Sequence, residues 1–170
     1  RGATPGGRCD GRWLAPSPSG YPTPVIEVKH RSPAGVDAVW DVLADGWQYP
    51  IWVVGAARIR AVSPHWPAPG AELHHSLGIW PVLLNDRTEV VSSTPKQELR
   101  LRGRGWPMGE VDIQLLLAAT PDGGCEITMR EDVVAGPARL LPRSVRQALI
   151  TPRNAETLRR LSLLAERRAP

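Results

Sequence analysis

The sequence has no phenylalanine, and only two cysteines, two methionines and two lysines among its 170 residues. Cys9 and Cys125 are too few for a disulfide framework and form no Cys-x-x-Cys pair, which excludes a cysteine-based zinc site. Apolar runs are short. None approaches the ~18 to 20 residues that a membrane span needs, and the first 24 residues lack the continuous apolar stretch of a secretory signal. The expectation is a soluble, cytoplasmic chain. The shortage of lysine beside 19 arginines, with abundant alanine, glycine and proline, is read as the codon bias of a GC-rich genome.

Glycine and proline are plentiful, 34 residues in all, and they are unevenly spread. Residues 1–24 hold ten of them, whereas residues 25–170 hold the other 24. Such a stretch buries too little apolar surface to offset its ordering entropy. The expected organisation is a disordered leader over 1–24 and a single domain over 25–168. Charge is also segregated. Residues 25–136 balance at −4, while residues 137–170 carry eight arginines against Glu156 and Glu166. No nucleic-acid motif accompanies that basic tail, and the tryptophans do not alternate with basic residues on one strand. A solvated helix face accounts for it; contact with an anionic membrane or partner is the minor alternative.

Val25–His30 alternates as a half-buried strand does. Val36, Val39, Trp40 and Leu43 then recur at helical spacing, and Trp47–Trp52 around Pro50 predicts a second short helix or turn. Six further strands are expected at 57–62, 72–77, 82–92, 98–105, 110–119 and 126–134, with Pro121-Asp122-Gly123-Gly124 the clearest hairpin turn. After Gly136 the period is helical again. Pro142 can open one segment, and Thr151-Pro152 makes an N-cap and first-turn pair for another. The class is α+β, an antiparallel sheet wrapped on a helix.

The order of elements, the segment Ala-Val-Trp-Asp-Val-Leu-Ala-Asp at 38–45 and the terminal amphipathic helix resemble the START-related, Bet v 1-like (SRPBCC) superfamily. Within it, Trp52-Val-Val-Gly-Ala-Ala-Arg-Ile-Arg60, Trp66-Pro-Ala-Pro-Gly70, His74-His75 and Trp80-Pro81 are similar to actinobacterial proteins of the polyketide cyclase/dehydrase and lipid-transport type. The resemblance implies a helix-grip fold, a curved seven-stranded antiparallel sheet around the C-terminal helix. It also implies two short helices after the first strand and an apolar cavity between sheet and helix. It implies no single activity, because members include carriers, chaperones, aromatases and cyclases.

Strand parity then selects the inward side chains. The apolar set includes Leu73, Leu101, Ile113, Leu115 and Met129, opposed by the helix stripe Leu158, Leu161 and Leu164, and all are expected to bind ligand. Trp52, with Trp47, Trp66, Trp80 and Trp106, is expected at the rim, and Trp40 in the core. Arg100, Arg102 and Arg104 fall outward. Four ionisable residues fall inward: His30, His75, Asp86 and Glu131. If Gly78 and Leu83 close their hairpin, His75 stands opposite Asp86, where a carboxylate would favour the protonated ring. The pair is the candidate acid/base couple, and a cross-strand ion pair is the structural alternative. His30 and Glu131 become neighbours if the first and last strands pair.

Metal binding, a serine nucleophile and a phosphate loop are rejected. His74 and His75 point to opposite faces, Ser76 lacks a nucleophile elbow, and no strand-to-helix turn follows Gly103 and Gly105. No cofactor is expected. The expected partner is a hydrophobic small molecule (polyketide-, isoprenoid- or lipid-like), with no nucleic acid, membrane contact only as the minor alternative, and a monomeric or homodimeric chain. A cyclase, aromatase or dehydratase acting in the same cavity is the alternative.

Overall fold

A computed structural model describes residues 26–79, 82–105 and 109–169. The expected leader, Trp80-Pro81 and Trp106 lie outside the described residues. The elements run β1 (Ile26–Ser32), α1 (Val36–Leu43), a 3-10 turn at Gly46–Gln48, α2 (Tyr49–Trp52), β2 (Ala56–Val62) and β3 (Glu72–Ile79). They continue with β4 (Val82–Thr94), β5 (Glu98–Gly105), β6 (Gly109–Ala119), β7 (Cys125–Ala135), a second 3-10 turn at Pro137–Leu140 and α3 (Arg143–Glu166). All strands join one antiparallel sheet in the order β1-β7-β6-β5-β4-β3-β2. This is the expected helix-grip arrangement, with α3 packed on β1, α1 and α2.

Local chemistry accounts for the elements. In α1 the helical spacing places Val39, Trp40 and Leu43 on the buried face, beside Val42. The Asp45 carboxylate then accepts from the Trp47 amide at 3.2 Å and starts the 3-10 turn that leads into α2. Gly123 takes φ +86° in the β6–β7 turn, where its amide bonds to the Thr120 carbonyl. Gly109 has φ +126° and lies so close to the Ala135 carbonyl that a Cβ there would be 1.8 Å from its oxygen.

One boundary expectation fails. The segments expected from Pro142 and from Thr151-Pro152 are a single 24-residue helix with Pro152 inside it. Thr151 caps nothing, and its hydroxyl is buried without a partner. Pro152 lacks the amide that would bond the Ala148 carbonyl, but it stands on the exposed face. Burial of Asn154, Thr157, Leu158 and Leu161 along the other face holds the helix together. Pro152→Ala should therefore raise stability by about 1 kcal/mol in urea denaturation; a loss would show that the ring itself packs productively.

The space between sheet and helix is solid at one end and hollow at the other. Leu73, Val90, Leu99, Leu115 and Ile127 from the sheet meet Val39, Leu43, Leu158, Leu161 and Ala165 in the core, with Leu164 partly buried against it. Fully burying each of the leucines stabilises the fold by about 1.5–3 kcal/mol. The hollow lies beyond this core, toward the β3–β4 and β5–β6 hairpin ends.

Candidate functional site

The hollow is a cavity of about 330 Å³, at the small end of ligand pockets, which run from ~300 to 1,000 Å³. The sheet supplies His75, Leu77, Asp86, Thr88, Leu101, Gly103, Val111, Ile113 and Met129 to its wall. Tyr49, Trp52, Val53 and Val54 close it from α2 and its exit, and Arg153, Asn154 and Thr157 from α3. Gly103 helps keep it open, since a Cβ there would meet Val111 at 3.2 Å. The Val54 amide donates to the Thr157 hydroxyl at 3.2 Å, which fixes the α2 exit against α3.

The expected His75–Asp86 register is present: the two residues are direct partners across β3 and β4. Their chemistry differs from the expected pairing. The His75 Nε2 atom lies 2.9 Å from the Thr88 hydroxyl, two residues beyond Asp86, and no ion pair joins His75 to Asp86 among the described residues. The Asp86 carboxylate instead accepts from the Arg87 amide at 2.7 Å through Oδ1. Burial, reinforced by the Arg60 guanidinium and the neighbouring His74, holds the His75 ring down to about 4, so it is neutral at pH 7. Arg60 is fixed behind it, donating to the carbonyls of His75 and Asp86. Burial pushes the Asp86 carboxyl up, against the opposing pull of the Arg87 amide and nearby arginines. The protonated imidazole expected from a neighbouring carboxylate is therefore not the state this environment favours.

Three residues of the cavity wall each hold one buried polar atom without a partner: His75 Nδ1, Asp86 Oδ2 and Trp52 Nε1. Leaving such a group unpaired costs about 1–3 kcal/mol. Aromatic packing holds two of them in place. The Tyr49 ring is 5.3 Å from the His75 ring and makes an edge contact with Trp52, also at 5.3 Å. Burial pushes the Tyr49 phenol up, and the nearby Thr88 hydroxyl opposes that shift.

Glu131 is 1% exposed and does not border the cavity. It holds Arg153, through two short contacts from Nη2, and accepts from Asn154 Nδ2 at 2.8 Å, thereby orienting two residues that do border it. His30 and Glu131 are not brought together. β1 and β7 do pair, but His30 opposes Ile127 while Glu131 opposes Ile26, a separation of four residues along the strand. Of the expected ligand residues, Trp52, His75, Asp86, Leu101, Ile113 and Met129 line the cavity. His30, Leu73, Leu115, Leu158, Leu161 and Leu164 do not; the leucines fill the solid end.

The tryptophans divide similarly. Trp40 is core, Trp66 donates from Nε1 to the Leu43 carbonyl at 3.1 Å, and Trp47 is 60% exposed. Sequence reasoning missed Tyr49, Arg153, Asn154 and Thr157 as wall residues, and it placed Arg104 outward although it borders the mouth. The helix stripe was read from apolar residues alone; the polar residues Arg153, Asn154 and Thr157 just before Leu158 gave the missing signal. Among the described residues, no three His, Cys, Asp or Glu side chains converge as a metal site requires.

No curated protein matches the chain. Among solved structures, it is similar to the di-domain ARO/CYC StfQ from the steffimycin biosynthetic pathway, at 14% identity and TM-score 0.63, over 85% of this chain and 51% of that one. CalU16 from Micromonospora echinospora matches at 14% identity and TM-score 0.58, over 83% of this chain and 75% of that one. Ara h 8.0201 matches at 13% identity and TM-score 0.61, over 84% and 97% of the two chains. At these identities the likeness establishes the fold alone. The family described as polyketide cyclase / dehydrase and lipid transport matches residues 23–166, most of the chain, and the protein belongs to that family.

Proposed function

We propose that this protein binds one small, mainly apolar molecule bearing a polar group such as a carbonyl or hydroxyl, of polyketide, isoprenoid or lipid type. The observation that carries the reading is an apolar wall in which three residues, Trp52, His75 and Asp86, each hold a polar atom without a partner. Apolar contacts supply affinity, and a guest oxygen that satisfies one of these atoms supplies orientation. A neutral imidazole beside Thr88 suits this role, since it offers one donor and one acceptor nitrogen.

Native mass spectrometry of the purified protein, with titration by a fluorescent fatty-acid probe, tests the reading. Ile113→Trp should fill the cavity from the sheet side and weaken the probe at least about tenfold, a loss near 1.4 kcal/mol, with an unchanged or raised Tm. Unaltered probe affinity in that variant would reject the cavity as the binding site.

The alternative is a cyclase, aromatase or dehydratase that folds a flexible chain in the same cavity. It draws on the family assignment and on the register that sets His75 beside Asp86. An imidazole held near 4 is a weak base at neutral pH, so binding is preferred over general-base catalysis. Comparing the products formed from a candidate polyketide by wild type, His75→Ala and Asp86→Asn separates the two readings. Identical products in all three would remove the catalytic one.

A further inference from the structure

Large apolar side chains that reach solvent are concentrated at one end of the molecule. Of the eight such residues among those described, five stand around the cavity mouth: Ile51, Leu83, Leu140, Val145 and Leu149. Ile51 precedes the wall residue Trp52 on α2, and Leu83 opposes Gly78 at the end of the β3–β4 hairpin. Leu140 ends the turn after β7, whose Ala135 touches Gly109 at the start of β6. Val145 and Leu149 lie on the first turns of α3, ahead of Arg153. Leu140 is 88% exposed and Leu149 64%, a cost to solubility that normally marks a contact surface.

The charge at this end has the opposite sign to the rest of the body, which balances at −4 over residues 25–136. Arg104, Arg146 and Arg153 are matched by Glu110, Asp132 and Glu131. Arg58, Arg139 and Arg143 have no carboxylate partner among the described residues, and Asp86 is buried. The mouth is therefore a positive, apolar-studded end. Its apolar side chains come from α2, the β3–β4 hairpin, the turn before α3 and the first turns of α3, where Arg139 and Arg143 stand close to Leu140 and Val145 in sequence. A second copy docked isologously would set the unpaired arginines of both copies against each other.

We infer that the cavity end is a docking face for an anionic lipid surface, with Leu140, Leu149, Ile51 and Leu83 inserted and Arg139 and Arg143 at head-group level. Among the described residues no helix is long and apolar enough to cross a membrane, so the contact is peripheral. The basic tail by itself makes contact with an anionic membrane only a minor alternative, and the exposed leucines are the added observation. With the mouth on lipid, an apolar guest passes between bilayer and cavity without crossing water, a consequence that rests on the function proposed above.

The full chain should co-sediment with vesicles of phosphatidylcholine containing about one-third phosphatidylglycerol, at least ~5-fold more strongly than with phosphatidylcholine alone. About 0.5 M salt should remove most of that difference. Leu140→Glu and Leu149→Glu should each weaken vesicle binding by about tenfold while leaving the circular dichroism and Tm intact, since both side chains are exposed. Failure to bind anionic vesicles at low salt would overturn the proposal, as would equal binding by the two glutamate variants. A concentration-dependent dimer lost in Leu149→Glu, without vesicle binding, would overturn it in favour of a second copy. Vesicle binding by a protein that takes up no probe would sustain it and overturn the ligand-binding reading instead.

Discussion

Arg153→Ala should lower the unfolding free energy by about 3–5 kcal/mol, the usual cost of stripping one partner from a buried ion pair. The reason lies on the other side of the pair. Glu131 is 1% exposed on β7, so without the guanidinium its charge keeps only the Asn154 amide at 2.8 Å. For a domain of this size the matching fall in Tm is on the order of 10 °C. Replacing both residues, as in Glu131→Met with Arg153→Met, should recover most of the loss, because an apolar pair leaves no buried charge behind. Urea denaturation of the single and double variants measures both effects. The Arg153 side chain is 41% exposed, so a single-variant loss below about 1 kcal/mol would mean that water screens the pair.

Acid should destabilise the protein through His75. The folded ring is held to about 4, whereas an unfolded histidine titrates near 6.5. Between those values the unfolded chain takes up a proton that the folded one refuses, so stability is full above about 6.5 and drains away as pH falls toward 4. At ~1.4 kcal/mol per pH unit the loss approaches about 3 kcal/mol. Asp86 works in the opposite sense. Its folded carboxyl is pushed up by burial, so proton uptake there favours the folded state as pH falls. Comparing wild type with His75→Phe across this range isolates the imidazole, and the stability gap between them should change by most of that amount. Asp86→Asn should make the acid loss steeper. A gap that stays constant from pH 7 to 4 would show that the ring is not held neutral.

The legible part of the fold is the part governed by short-range periodicity. Alternation located every strand to within about two residues, and the Val36–Leu43 spacing located α1. It also fixed a long-range fact. A short connection between β3 and β4 determines their register, so pairing Gly78 with Leu83 is enough to set His75 opposite Asp86. Pro152 was misread for a related reason. Propensity treats proline as a helix start, and only the continuous buried face of α3 overrides that preference.

The site was less legible. His30 and Glu131 share a face and lie on paired strands, yet the β1–β7 register sets them four residues apart, and no tight turn joins those strands to reveal it. Asp86 was assigned to the imidazole by adjacency, but the ring reaches two residues along β4 to Thr88. Side-chain reach within a wall is set by packing neighbours, here Tyr49, and these come from a segment remote in sequence.

By itself the sequence determined which residues turn inward, because a strand alternates strictly and a helix repeats every 3.6 residues. Only the tertiary structure decided which inward residues line the cavity and which pack on one another. That depends on how far α1, α2 and α3 fill the concave sheet. The leucines of Leu158–Leu164 reach the packed end, and Arg153, Asn154 and Thr157, which precede them on the same helix, face the space left over.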